Sequence, residues 1–435
     1  MSKFYKQRAY LDPIHGPIQL NLNDRTDNLL SRIIDTKEFQ RLRRIKQMGL
    51  GWFTFHGAEH SRFGHSLGSL FIARKMLMHL SGLFPEIKKY KTELLVAALI
   101  HDIGHGPFSH TFEKLSNLTH EDWTEAIILG SSETNLLLKI FDSLLPGKII
   151  KIFKYRAKNY LSQIVSSYID CDRLDYLYRD SYYVGVPYGY TGLDRIISSL
   201  EIDKKTNNIL VKESIGLDAI IHYLQARHSM YQQVYQHKKN LACDFMLKKI
   251  IQRAKEIKPT DLPEAFTCWF KVNNAKNISK FLDSYLQIDD QLLISTIEKW
   301  AHEQGTDNTL HKLSESFVNR KLFKSLIFRE GTNSKEIKNV LAKAILIAKK
   351  HKLDPNYYVG IEQSASKPYE PYKTGKNKNK AIFIKQNNNQ IKELSRVSSM
   401  IVGLSNEVTT KICLVFAPKL ESEIRKINDF KEIFK

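Results

Sequence analysis

The chain is poor in the features that would assign it quickly. Its four cysteines, Cys171, Cys243, Cys268 and Cys413, are scattered through 435 residues with no CxxC pair. That excludes a zinc ribbon and a disulfide framework and suits a reducing compartment. No apolar run reaches the roughly 18 residues that a membrane helix needs, and residues 1–8 lead into no signal-peptide core. The expectation is a soluble, cytoplasmic protein with no membrane partner. GxGxxG and Walker loops, heptads and internal repeats are absent too, which removes the dinucleotide, P-loop and coiled-coil readings. Acid is in deficit, 46 Asp and Glu against 66 Lys and Arg, for a formal net charge of +20. Such an excess points to polyanions, whether nucleotides, nucleic acid or an acidic surface, with a merely solvated lysine-rich surface as the even alternative. At 42% hydrophobic residues the chain can bury a large core, and its length allows two or three structural units.

Against that background residues 99–110, Leu-Ile-His-Asp-Ile-Gly-His-Gly-Pro-Phe-Ser-His, pack three histidines and an aspartate behind an apolar run. Residues 93–100 read as a helix delivering its last turn into polar residues. Positions four apart on a helix lie about 40° apart around the axis, so His101 and His105 can share a face. Gly104, Gly106 and Pro107 end the helix and let His110 swing back toward the same volume. Imidazoles beside a carboxylate are ordinary ligands for a divalent metal. Surface histidines at a helix end explain one such residue better than they explain the whole group.

Along the chain, residues 10–20 carry Asp-Pro and His-Gly-Pro, which predicts a turn followed by a brief strand. Leu29, Leu30, Ile33 and Ile34 form one amphipathic face. Residues 35–38 then cap a basic helix predicted over 39–48, and a short strand is predicted over 51–55. Residues 56–66 open a further helix that carries Arg62 and His65. Residues 119–122 are polar residues at another helix start. In residues 164–180, Asp170 and Asp172 lie about 200° apart on a helix, so only one of them can face a metal squarely. Asp172, Asp175 and Tyr176 share a face, with Arg173 beside it. A hairpin is predicted at 207–208, then a nearly continuous helical stretch over 214–255. There Arg227, Tyr231, Tyr235 and Lys238 recur at a spacing that by itself reads as core. Helices continue over 280–350. Strand-like segments after Leu353 predict a small α+β lobe, with a mobile Lys/Asn/Gly-rich loop at 372–380.

His65, His101-Asp102 and Asp172 thus sit on three separate predicted helices, a mixed N/O set that leaves positions open for water or substrate. This spacing resembles the HD superfamily of metal-dependent phosphohydrolases. Residues 35–47, 62–68, 101–110, 119–121, 169–180 and 235–238 look like successive motifs of the deoxynucleotide triphosphohydrolases, including the sterile-alpha-motif/HD-domain enzyme of animal cells, and span roughly residues 8–325. The resemblance implies a mainly α fold. An HD-domain helical core would occupy residues 1–325, with its metal-binding region at about 60–180, and a small C-terminal α+β lobe residues 326–435.

By that resemblance His65, His101, Asp102 and Asp172 bind one divalent metal (Mn, Fe, Zn or Mg), with Mg2+ accompanying the nucleotide. His105, His110, Glu113 and His120 form the catalytic cluster, His110 or His120 acting in proton transfer. Arg62, Arg173, Tyr176 and Arg227 hold the triphosphate, and Gln47, Asp180 and Tyr235 read the sugar. The implied reaction is hydrolysis of a dNTP at the α-phosphorus to a deoxynucleoside and intact triphosphate. A tyrosine packed on the 2′ carbon would reject ribonucleotides. An activating guanine nucleotide is implied at Asp35, Gln40 and Arg43, with further basic groups at Arg195, Lys238, Arg320 and Lys324, between the subunits of a homotetramer or dimer. Glu213, Ile215 and Ala219 depart from the basic or polar pattern of a second activator pocket, which leaves a second dNTP activator unassigned. The residues themselves keep two alternatives open. One is another HD phosphohydrolase, a nucleotidase or a phosphodiesterase of cyclic nucleotides or single-stranded nucleic acid. The other is a non-catalytic nucleotide- or nucleic-acid-binding protein, which the charge would suit.

Overall fold

Residues 94–100 are apolar without a break, and all seven are buried. A helix that is apolar on every side belongs in a core rather than on a surface, and the rest of the fold is laid around this one. The computed structural model of the chain describes residues 6–435 apart from 117, 273–274, 304, 306, 372–379, 407–408 and 428–429. It is 61% helical with 12% strand, a mainly α fold with small sheets.

A hairpin of β1 (Gln7–Asp12) and β2 (Gly16–Asn21) comes first. Next is α1 (Arg25–Ile34), capped by Asp24, then α2 (Lys37–Gln40), capped by Thr36. Two core helices come next, α3 (Arg62–Leu83) and α4 (Lys91–Ile100). The middle of the chain is short helices: α5 (His110–Glu113), α6 (His120–Leu129), α7 (Glu133–Phe141), α8 (Leu145–Phe153) and α9 (Asn159–Val165). Helix α10 (Cys171–Val184) starts at the Asp170 cap, stops at Gly185 in the left-handed region (φ 73°), and packs on α3, which in turn packs on α4.

Beyond α11 (Leu193–Ser198) the predicted hairpin is present as β3 (Leu200–Asp203) and β4 (Asn208–Lys212). The long helical stretch is α12 (Glu213–Met230), a π-helical turn at Tyr231–Tyr235, and α13 (Lys238–Ile257), which His237 caps. In the C-terminal part β5 (Lys324–Ile327), β9 (Thr409–Phe416) and β6 (Val359–Ser366) form an antiparallel sheet in the order β5-β9-β6. Strands β7 (Phe383–Lys385) and β8 (Ile391–Glu393) instead extend β3-β4, with β7 parallel to β4. Residues on both sides of position 325 therefore share a sheet.

Two local expectations are corrected. The helix predicted over 39–48 ends as α2 at Gln40 and passes through a 3-10 turn, Arg41–Arg44, into extended backbone at Ile45. Tertiary bonds outweigh helix propensity here: buried Arg41 donates to the Ile288 and His105 carbonyls, and Ile45 O accepts the Arg62 N–H at 2.9 Å. The strand predicted over 51–55 is a 3-10 helix, Gly49–Phe53, because Gly51 O turns back to accept the N–H groups of Thr54 and Phe55. The 372–379 part of the predicted mobile loop lies outside the described residues. No helix among them is long and apolar enough to cross a membrane.

Candidate functional site

Three helices meet at one point. His65 is in the first turn of α3, α4 runs out at Ile100 and hands His101 and Asp102 to the following turn, and Asp172 is in the first turn of α10. Asp170 is spent as the cap of α10, accepting the N–H groups of Ser167 (2.7 Å) and Arg173 (2.6 Å). His65 Nε2 lies 3.3 Å from His101 Nε2, 3.2 Å from Asp172 Oδ1 and 3.6 Å from Asp102 Oδ2. His101 Nε2 lies 3.5 Å from Asp102 Oδ1 and 3.7 Å from Asp172 Oδ1. Ligands about 2.1 Å from a common ion stand roughly this far apart, so His65, His101 and Asp102 could hold a divalent cation, with Asp172 Oδ1 beside the two imidazoles. The outer nitrogens are engaged: His65 Nδ1 by Asp175 Oδ2 at 2.8 Å and His101 Nδ1 by Ala98 O at 2.9 Å. Both imidazoles thereby turn Nε2 inward. Burial resists charge on every member. The two carboxyls are nonetheless held below the usual range, Asp102 by Arg62, His101 and His105, and Asp172 by His101 and His65. Against the same resistance Asp172 and Asp175 push His65 up to about 10. Such a pocket attracts positive charge.

A second donor group, Asp102, His105 and His120, adjoins the first through Asp102. His105 and His120 stack face to face, centroids 3.8 Å apart at 11°. His120 opens α6 under a Thr119/Asp122 capping box, and Glu113 accepts both its backbone N–H, at 2.9 Å, and its Nδ1–H. Burial together with the charges of Arg62 and His120 drives His105 well below its usual range. For His120 burial works the same way, but Glu113 and Asp102 outweigh it and raise the ring. The two stacked rings are thus driven apart in basicity, His105 down and His120 up. His110 begins α5, and its side chain lies outside the described residues.

The backbone between His105 and His110 is strained: Phe108 and Ser109 both have positive φ, 50° and 53°. Surrounding groups hold it there. Asp290 accepts the Phe108 N–H at 2.8 Å and the Lys46 N–H at 2.8 Å, Arg62 Nε donates to Ser109 Oγ at 2.9 Å, and Arg41 donates to His105 O at 2.7 Å. Burial pushes the Asp290 carboxyl up to about 7. Asp290 and Arg41 were not among the expected site residues, since only the tertiary fold brings residue 290 to residue 108.

Of the expected phosphate groups, Arg62 contacts Asp102 directly. Arg173 donates to Ser167 O at 2.6 Å and to Asp170. Arg227 donates to the carbonyl of Pro368, with its guanidinium 5.1 Å from the Tyr231 ring. Arg173 and Arg227 both act electrostatically on Tyr176. Each keeps a buried Nε without a hydrogen-bond partner among the described residues. The three expected sugar readers meet around His60, which sequence reading passed over. Asp180 accepts from His60 Nε2 and from Tyr235 OH, each at 2.7 Å, and Gln47 N–H donates to His60 O at 2.9 Å. Gln47 Oε1 is buried with no partner among the described residues.

The expected activator residues fall into separate places. Asp35 takes a two-pronged bond from Arg8 (2.6 and 2.7 Å), and Gln40 Oε1 accepts from Arg43 Nε at 2.9 Å. Arg320 donates to Phe53 O at 3.0 and 2.7 Å, Lys238 O accepts from Ser325, and Lys324 pairs with Glu421. The side chain of Arg195 on α11 bonds to none of the others among the described residues.

One glycine is required by the cage. A Cβ on Gly68, one turn after His65, would lie 1.9 Å from Asp175 Oδ1 and 2.5 Å from Arg179 Nη2. Gly68→Ala is expected to cost about 1–3 kcal/mol through overpacking, read as a lower urea midpoint at unchanged slope. An unchanged midpoint would contradict the packing.

The HD domain family model matches residues 62–180. An uncharacterized protein of Bacillus subtilis, YwfO, is 36% identical over 416 residues, covering 94% of this chain and 92% of that one. The human deoxynucleoside triphosphate triphosphohydrolase SAMHD1 is 30% identical over 284 residues, 56% of this chain, which spans only 44% of that protein's length. Among solved structures a phosphohydrolase from Bacteroides thetaiotaomicron superimposes with a TM-score of 0.81 at 28% identity, covering 94% of this chain and 100% of that one.

Proposed function

The chain belongs to the HD-domain family of phosphohydrolases, and within that family we propose that it hydrolyses deoxynucleoside triphosphates to a deoxynucleoside and inorganic triphosphate. The observation that carries this reading is the pair of guanidiniums that act on Tyr176, whose ring lies 6.4 Å from that of His65: Arg173 and Arg227, each with a buried spare Nε–H. Two cations with unused donors suit a polyphosphate better than a monoester or a diester.

His65, His101, Asp102 and Asp172 would hold one divalent ion, manganese, iron, zinc or magnesium, with Mg2+ entering on the nucleotide. Bound there, such an ion would supply Lewis-acid polarisation of a phosphoryl oxygen. Arg62 exchanges its contact with Asp102, and Arg227 its carbonyl partner, for oxygens of the triphosphate. His120 gives its proton to the 5′ oxygen as the P–O5′ bond breaks, with Glu113 beside it and His105 and His110 completing the cluster. Water supplies the new oxygen on the α-phosphorus, and the triphosphate leaves intact. Arg173 and Tyr176 join Arg62 and Arg227 on the triphosphate, while Gln47, Asp180 and Tyr235 hold the sugar, where a tyrosine packed against the 2′ carbon excludes a ribose hydroxyl. Residues 1–325 carry this chemistry, and residues 326–435 bring the carbonyl now on Arg227.

The proposal extends to activation by GTP or a dNTP at Asp35, Gln40 and Arg43, with Arg195, Lys238, Arg320 and Lys324 joining from elsewhere in a homo-oligomer. Incubation with dNTPs and NTPs, singly and in pairs, with gel filtration alongside, tests both parts. Turnover of dNTPs over NTPs, raised by a second nucleotide together with a larger species, is expected. Turnover of monophosphates or cyclic nucleotides with none of dNTPs overturns the reaction. Full activity on an unchanged oligomer without a second nucleotide overturns the activation.

A further inference from the structure

The Asp-Pro-Ile-His-Gly turn between β1 and β2 has no part in the chemistry above, yet it reaches the donor cage. Asp12 Oδ1 accepts the N–H groups of Ile14 (2.9 Å) and His15 (3.0 Å), a side-chain-closed turn that Gly16 completes at φ 71°. The turn aims His15 inward. Its ring stacks on Phe71 with centroids 4.7 Å apart, and its Nε2 lies 2.6 Å from Asp175 Oδ1.

Asp175 is the carboxylate that engages His65 Nδ1, and it is wholly buried. Arg179 donates to it through Nε (2.8 Å) and Nη2 (3.0 Å), and reaches back to Asp12 through Nη1 (2.9 Å) and Nη2 (3.2 Å). Four donors therefore converge on the two oxygens of Asp175, one from His15, one from His65 and two from Arg179. A carboxylate so surrounded can only accept, so His65 donates from Nδ1, which leaves Nε2 as the nitrogen that faces the cage. The α10 spacing helps: Asp175 lies three residues beyond Asp172, which sets the two acids on adjacent sides of one imidazole.

We propose that Asp12, His15, Asp175 and Arg179 are the positioning residues of His65, so that the N-terminal hairpin fixes the tautomer and orientation in which His65 meets a divalent cation. This rests on the reading of His65 as a ligand. It adds that the cage is held from a hairpin 160 positions away from Asp175 in sequence, and that metal affinity depends on a residue that never touches the metal.

The test is Mn2+ titration of the full chain, monitored by electron paramagnetic resonance, for wild type, His15→Leu, His15→Gln, Asp12→Asn and His65→Ala, with the melting temperature of each metal-free protein. His15→Leu removes the donor and is expected to weaken Mn2+ binding by about 10–100-fold. His15→Gln, whose amide N–H can take the place of Nε2–H, is expected to bind close to wild type. Asp12→Asn keeps the turn but weakens the hold on Arg179, so it is expected to fall between the two, and it carries the test if His15→Leu does not fold. Wild-type affinity in His15→Leu and Asp12→Asn overturns the proposal. So does an equal loss in His15→Gln and His15→Leu that tracks melting temperature, which is what a purely structural role would give. If His65→Ala binds Mn2+ as tightly as wild type, the ligand assignment itself falls and the positioning role with it.

Discussion

Asp102→Asn is expected to leave the chain folded, empty it of bound metal and lower turnover by roughly 10³-fold, the several kcal/mol that charge stabilisation by a metal supplies. Asp102 has this leverage because both donor groups share it. Its oxygens lie 3.6 Å from His65, 3.5 Å from His101 and 3.3 Å from His105, and they meet Arg62 directly. Asparagine keeps the volume and an oxygen for Arg62, so the loss reports charge rather than packing. Alanine would also strand the buried guanidinium, at a cost of about 3–5 kcal/mol. Metal content by elemental analysis and turnover, measured on protein whose circular dichroism matches wild type, check the outcome. Stoichiometric metal with intact turnover in Asp102→Asn would remove Asp102 from the chemistry.

The second large effect is expected at Glu113, through pH. Burial alone would lower the His120 ring, and the bond to Glu113 raises it. A group whose folded pKa is raised stays protonated below that pKa and loses the proton as pH climbs through it. A general acid of this kind therefore gives a turnover profile flat at low pH that falls on the alkaline side, at higher pH than for an ordinary histidine. Glu113→Gln removes the foremost raising interaction, so the alkaline fall is expected to move to lower pH. On that alkaline limb turnover should drop by up to roughly 10²-fold, the lower end of what a positioned acid contributes. Burial and the Arg62 charge hold the His105 ring down in both proteins. A profile that keeps its alkaline limb in Glu113→Gln would mean that His120 is not the acid.

Much of the site could be read before the fold was known, and the rest could not, for physical reasons. The apolar run at 94–100 announced a buried helix. Residues at the C-terminal end of such a helix are delivered to the interior, which is why His101 and Asp102 stand out. The geometric conflict between Asp170 and Asp172 was also legible, and the N-cap resolves it. Three features were not. Non-glycine residues at positive φ, Phe108 and Ser109, carry no local signal, since Asp290 and Arg62 hold them from elsewhere in the chain. The helix expected over 39–48 was a sound reading of local propensity, overruled when Arg41 was drawn inward to the Ile288 and His105 carbonyls. The hairpin read as a turn and a strand, and nothing in its own residues says that His15 will lie against Asp175. Arg179, four residues after Asp175 on α10, was the available clue, since that spacing marks a paired carboxylate.

The most direct measurement is hydrolysis of a dNTP in 18O-labelled water, with the products resolved by mass spectrometry. Attack by water at the α-phosphorus with cleavage of the P–O5′ bond puts one heavy oxygen into inorganic triphosphate and none into the deoxynucleoside, and that is the expected result. Label in a nucleoside monophosphate, in pyrophosphate or orthophosphate, or in the deoxynucleoside itself, would contradict it.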